Sequence, residues 1–211
     1  MIKTCLLDLD GTLIDSPALI IKTFKLTFEK FLPHVNLSTS EQSDLLGHTL
    51  FETFHTYAKD QDQVDEMVSF YRETSEAFME KELVAYPGAS RMLKALKKKK
   101  IKIGVVTSKM GLIEKRHLEL TQLDPYIDLI IGYEDTERHK PNPEPLQKAM
   151  AHFSTRPDET IYIGDHENDM KAAKAAKMVS CAVTYGIRTQ EMLNENPDFV
   201  IDELEQIIDL M

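Results

Sequence analysis

The chain has 211 residues, 42% of them apolar and 28% charged, a balance that supports a folded core and excludes disorder as the main state. Its formal net charge of -10 speaks against a nucleic-acid partner, because an acidic surface repels the phosphate backbone. No apolar stretch approaches the roughly 20 residues of a membrane span, and acids interrupt the opening MIKTCLLDLD before a secretory signal can form. A membrane partner is therefore not expected, and a cytoplasmic location is.

Residues 2–9 form an apolar run that ends in acids and Gly11, the pattern of a buried strand running into a loop. About 90 residues then pass before the next such run, far more than one crossover helix needs. They carry helical periodicity. Ser16 and Pro17 read as an N-cap and first-turn pair, and Ile20, Phe24, Phe28 and Phe31 recur on one helical face. Ser38 with Glu41 resembles a capping box whose helix Gly47 could stop; Leu50, Phe51, Phe54 and Tyr57 mark another helix, and a fourth spans about 62–82. Tyr86, Pro87 and Gly88 make a turn, after which Met92, Leu93 and Leu96 predict a helix closed by the lysines at 97–100, which complement its dipole.

Apolar runs follow at 101–107, 127–131, 160–163 and 179–183, with a shorter one at 199–201, most of them separated by helical stretches. Continuous apolar strands alternating with helices predict an α/β fold, a doubly wound parallel sheet with a Rossmann-like core. A small α-helical cap domain at 16–84 is inserted between the core segments 1–15 and 85–211. Such sheets bind ligands beyond their strand C-termini. Cys5 and Cys181 fall inside strand runs and read as buried thiols rather than a disulfide.

Asp8 and Asp10 stand two apart at the end of the first strand, so both side chains can point the same way. Two converging carboxylates repel unless a cation or a shared proton relieves them, which suits Mg²⁺ with oxygen ligands. Taken alone, an Asp-x-Asp pair is also a common helix cap or turn former.

The whole string DLDGTLIDS at 8–16 resembles the first motif of the haloacid-dehalogenase superfamily in its phosphatase form. That resemblance implies that Asp8 attacks phosphorus, that Asp10 is general acid and base, and that both contact Mg²⁺, Asp10 through its backbone carbonyl. Carboxylate attack would split hydrolysis into two easier displacements. Thr107, ending IGVVT, is similar to the second motif, whose hydroxyl donates to a phosphoryl oxygen; Lys140 in KPNPEP is similar to the third, where an ammonium neutralises the nucleophile and phosphoryl oxygens. IYIGDHEND is similar to the fourth, with Asp165 as the remaining carboxylate metal ligand and Asp169 supporting it from behind. His166 departs from the Ser or Thr that many relatives carry there; it either tunes pH dependence or, the favoured reading, faces solvent.

Asp10 speaks against dehalogenation, which needs no proton for a halide, and the residues after Gly47 lack the arginine that sugar phosphomutases of the family carry. Chain length and YPG before KALKKKKIKIGVVTSKM most resemble the C1-capped branch, in particular phosphoglycolate phosphatases and bacterial inorganic pyrophosphatases. A small phosphorylated metabolite is the expected partner, and a β-phosphoglucomutase-like phosphotransferase or an idle binding module are the alternatives. Both favoured substrates place a second anion beyond the transferred phosphoryl group. Gly11, Ser108, His48, Thr49 and Lys109, with Arg138 and Arg188 beside them, are the candidates to bind substrate. Neither a GxxxxGK loop nor a GxGxxG occurs, so a kinase or dinucleotide enzyme has no support, and monomer and dimer both stay open.

Overall fold

The computed structural model describes residues 1–46 and 49–211. They divide into two compact units, one of Met1–Asp15 with Val84–Met211 and the other of Ser16–Leu83. Gly47, assigned the role of a helix stop, lies outside the described residues.

The larger unit is built on six strands: β1 (Thr4–Leu7), β2 (Lys102–Val106), β3 (Leu129–Ile131), β4 (Thr160–Gly164), β5 (Val179–Val183) and β6 (Phe199–Ile201). They form one sheet in the order β3-β2-β1-β4-β5-β6, and every neighbouring pair is parallel. The runs expected from the sequence are all strands, with no end shifted by more than two residues. The central strands are apolar without alternation because a parallel sheet is buried on both faces; β1 and β4 are buried at every position. Leu6, Val106, Tyr162, Leu146, Phe153 and Ala173 form one cluster of this core. Cys5 and Cys181 are buried free thiols, as expected.

The helices of this unit are α5 (Ala89–Lys98), α6 (Gly111–Leu120), α7 (Glu144–Phe153), α8 (Glu167–Ala175) and α9 (Thr189–Asn194). The chain winds outward from β1 through β2 to β3, then returns to place β4 on the other side of β1. That reversal puts the crevice between β1 and β4 at the topological switch point, where a doubly wound sheet receives its ligands. Leaving and returning segments of the chain also pair: Ile14 bridges Ala85 antiparallel, the Asp15 N–H donates to the Val84 carbonyl at 2.9 Å, and the Tyr86 N–H donates to the Leu13 carbonyl at 2.9 Å.

The smaller unit holds α1 (Pro17–Phe31), α2 (Thr39–Asp44), α3 (Leu50–Tyr57) and α4 (Gln61–Glu82). Ile20, Phe24 and Phe28 are buried from one face of α1 and pack with Phe54, Met67 and Tyr71. Ser38 and Glu41 form the expected reciprocal capping box at α2. Ser16 does not cap α1. Its backbone is already helical at φ -107°, ψ -16°, its side chain makes no capping hydrogen bond, and the start rests on Pro17, whose fixed φ suits a first helical turn. Among the described residues no helix is long and apolar enough to cross a membrane.

Candidate active site

The carboxylates meet at the switch point because adjacent parallel strands end level with each other. The Asp8 N–H, one residue past β1, donates to the Ile163 carbonyl at 2.9 Å, so Asp8 continues the β1–β4 ladder toward the turn that carries Asp165. Asp8, Asp165 and Asp169 each present an oxygen within 4.8 Å of the others. Asp165 and Asp169 are buried, and the Asp8 side chain is 12% exposed.

One ammonium threads this cluster. Lys140 Nζ donates to Asp8 Oδ1 at 2.9 Å, to Asp169 Oδ1 at 2.8 Å, to the Tyr162 hydroxyl at 2.9 Å and to the Val106 carbonyl at 3.3 Å. Tyr162 in turn donates to the Val106 carbonyl at 3.0 Å and lies 3.2 Å from Asp169 Oδ1. Burial alone would push Lys140 down, yet Asp169 and Asp8 outweigh it and hold the ammonium charged well above the ordinary lysine range. Asp8 shows the converse. Burial, the largest influence, lifts it to about 7, with Lys140 opposing and Asp169 adding. Asp165 is pushed up by burial and then by Asp8 and Asp169.

Three carboxylates facing one ammonium leave an excess of negative charge on an all-oxygen donor set, which suits a hard divalent cation such as Mg²⁺. Asp169 is the least available of the three. Its Oδ1 takes Lys140 and its Oδ2 accepts the His166 N–H at 3.1 Å, so Asp8 and Asp165 are better placed to ligate. Asp165 is itself fixed by the Thr12 hydroxyl, which donates to Oδ1 at 2.9 Å, while the Tyr185 hydroxyl donates to the Thr12 carbonyl at 2.7 Å. Gly11 explains the tightness of this corner: it adopts φ +77°, and a Cβ there would stand 2.2 Å from Asp165 Oδ2.

Asp10 does not join the acidic trio among the described contacts. Its Oδ2 lies 2.6 Å from Lys109 Nζ, and the same ammonium is 3.9 Å from Glu114 Oε1. Thr107 directly follows β2, held by its N–H to the Ile131 carbonyl at 3.0 Å, and its hydroxyl accepts the Lys109 N–H at 3.2 Å. Ser108 between them is half-buried.

Comparison with known proteins agrees with this architecture. The family model described as haloacid dehalogenase-like hydrolase matches residues 5–183. The chain belongs to the haloacid dehalogenase-like hydrolase family. It is 34% identical to the pyrophosphatase PpaX of Halalkalibacterium halodurans over 211 residues, covering 100% of this chain and 97% of that relative. A Clostridium perfringens relative that also carries the PpaX name is 39% identical over 214 residues, covering 100% of this chain and 98% of its own. Among solved structures, a haloacid dehalogenase-like family hydrolase from Streptococcus pneumoniae superimposes with a TM-score of 0.84 at 25% identity, covering 99% of this chain and 98% of that one.

Among the described residues, others expected to bind substrate have partners of their own. Thr49 is the N-cap of α3, its hydroxyl accepting the Glu52 N–H at 3.3 Å and donating to the Glu52 carboxylate at 2.8 Å. His48 lies outside the described residues. Arg188 is bound bidentately to Glu167 at 2.9 and 2.7 Å, and although burial raises Glu167, that pairing holds its carboxyl down at about 2. Arg138 is exposed.

His166 does not face solvent. It is 7% exposed and caps α8, its Nδ1 accepting the Asn168 N–H at 3.0 Å, and burial lowers its proton affinity. An imidazole acceptor does there what a Ser or Thr hydroxyl does at other helix starts. Residues that sequence reasoning missed are Thr12, Tyr162 and Glu114. Thr12 stands inside the DGT string and Tyr162 inside the strand before Asp165, so both sat within quoted motifs; Glu114 carries no local signal.

Proposed function

We propose that the chain is a phosphohydrolase that takes the phosphoryl group of a small phosphorylated substrate onto Asp8, with inorganic pyrophosphate the best-supported substrate. The observation that carries this is the convergence of Asp8, Asp165 and Asp169 around the Lys140 ammonium at the sheet's switch point. The pyrophosphatase name of a relative matched along the full chain supports pyrophosphate as the substrate.

In the first displacement an Asp8 oxygen forms a bond to phosphorus while the bond from phosphorus to the departing oxygen breaks. Asp10 gives a proton to that oxygen. In the second, Asp10 takes a proton from water, the hydroxide attacks the phosphoaspartate, and phosphate leaves with Asp8 restored. Lys140 neutralises negative charge at Asp8 and on the phosphoryl oxygens, and its four partners keep it in place through both steps. The Thr107 hydroxyl is positioned by the end of β2 to donate to a phosphoryl oxygen. Asp8, Asp165 and the Asp10 carbonyl would hold Mg²⁺, which when bound supplies further neutralisation of phosphoryl charge.

Lys109 is the candidate to take the second anionic group. Its ammonium stands beside Asp10; the side chain is 27% exposed while the nitrogen itself is covered, so a ligand would meet it only once the side chain turns outward. The testing variant is Asp8→Asn. It is expected to keep the fold by circular dichroism and lose turnover of pyrophosphate and p-nitrophenyl phosphate alike; retained turnover would refute the nucleophile.

A further inference from the structure

Glu114 is an unexpected carboxyl group, and burial pushes it well above the usual carboxylate range. It lies in the first turn of α6 with no exposure to solvent, and neither carboxyl oxygen accepts a hydrogen bond. An acid in a first turn favours the helix dipole, but an exposed Glu would do that as well, without the penalty of burial. His117, one turn further along α6, is buried beside it. A leucine at this place would fill the same space without a polar atom to desolvate. A buried, poorly satisfied polar group calls for a reason other than stability.

The charge facing it supplies one. Lys109 Nζ stands 3.9 Å from Glu114 Oε1 and 2.6 Å from Asp10 Oδ2, so a single covered ammonium beside Asp10 is shared by two carboxyl groups on different elements. A lysine stem is long and rotates freely in solvent; two anchors cut that freedom. We propose that Glu114 is a positioning residue, sharing Lys109 with Asp10 and so fixing the ammonium that receives the second anionic group of the substrate. This rests on the reading of the site as a phosphohydrolase for a substrate with two anionic groups. Glu114 touches neither the substrate nor the reacting atoms; it acts through Lys109.

The test is a double-mutant cycle of wild type, Glu114→Leu, Lys109→Met and the double variant, with KM and kcat measured on pyrophosphate and on p-nitrophenyl phosphate. Glu114→Leu is expected to raise KM for pyrophosphate at least fivefold, with a smaller effect on kcat. It should raise the thermal midpoint, since a buried polar group is gone. In the Lys109→Met background the same substitution should change KM less than twofold, because the group it acts through is absent. An undiminished effect in that background, or a wild-type KM in Glu114→Leu, would overturn the proposal while leaving the phosphohydrolase reading standing. A wild type that cleaves p-nitrophenyl phosphate but not pyrophosphate would instead remove the second anionic group, and this role with it. If the leucine variant fails to fold, Glu114→Gln runs the same cycle.

Discussion

The Tyr162 hydroxyl accepts a hydrogen bond from the Lys140 ammonium at 2.9 Å and donates its own proton to the Val106 carbonyl at 3.0 Å. A strand side chain thus ties the ammonium at the site to the end of the neighbouring strand but one. Tyr162→Phe removes this tie without emptying the space. Stability is expected to fall by about 1–2 kcal/mol, the range for a lost buried hydrogen bond. Turnover should fall about 10- to 100-fold, as a catalytic group displaced by around an ångström does. Urea unfolding and initial rates on pyrophosphate would check both.

Crowded carboxylates should make the fold responsive to divalent cations. Asp8, Asp165 and Asp169 outnumber the one ammonium among them, so a cation that binds only the folded chain should stabilise it. At about 100 times its Kd the gain is about 2.7 kcal/mol. Differential scanning fluorimetry with and without Mg²⁺ should show a raised midpoint for the wild type and almost none for Asp165→Asn. A full shift in that variant would place the cation elsewhere.

Gly11 is expected to tolerate no side chain. Alanine there must adopt a positive φ, which costs on the order of 1 kcal/mol or more, and its Cβ would collide with the Asp165 carboxylate. Gly11→Ala should therefore express as a folded protein whose turnover is reduced about 100-fold and whose Mg²⁺ response is weakened. Normal rates in that variant would show that Asp165 has freedom the packing denies it.

His117 predicts an acid-sensitive stretch of the stability curve. Burial, reinforced by Lys109, pushes its ring down to about 4 from an ordinary value of 6.5. Between those values the unfolded chain binds the proton and the folded chain does not, so stability from this group is complete above pH 6.5 and is lost as pH falls toward 4. At about 1.4 kcal/mol per pH unit the ceiling is roughly 3 kcal/mol. The gap between wild type and His117→Gln, followed by urea midpoints across that window, should narrow or reverse as pH drops.

Much of the fold was legible in the amino-acid order, because the strands of a parallel sheet are apolar on both faces and no helix of this chain imitates that. The strand at 179–183 was read to the residue, whereas the first was read two residues too long at each end, since Leu9 is as buried as Leu6 although it lies in the turn. Capping was read from residue type and failed at Ser16, where backbone angle decides; His166, read as facing solvent, is a cap in which an aromatic ring does a hydroxyl's work. Glu114 was invisible for another reason. In GLIEKRHLEL it looks like one more solvated acid on a helix, and only the fold turns that face inward. Arg188 misled in the opposite sense, for a guanidinium that seems available in the sequence has a carboxylate partner on α8.

The paired segments at Ile14 and Ala85 mean that the chain departs from the sheet-bearing unit and rejoins it through a single doorway one hydrogen-bonded bridge wide. To the sheet, the excursion of Ser16–Leu83 is no more than a long hairpin loop, and closing a loop becomes only slowly harder as it lengthens. A lineage can therefore enlarge, trim or exchange that excursion wholesale while every strand keeps its neighbours.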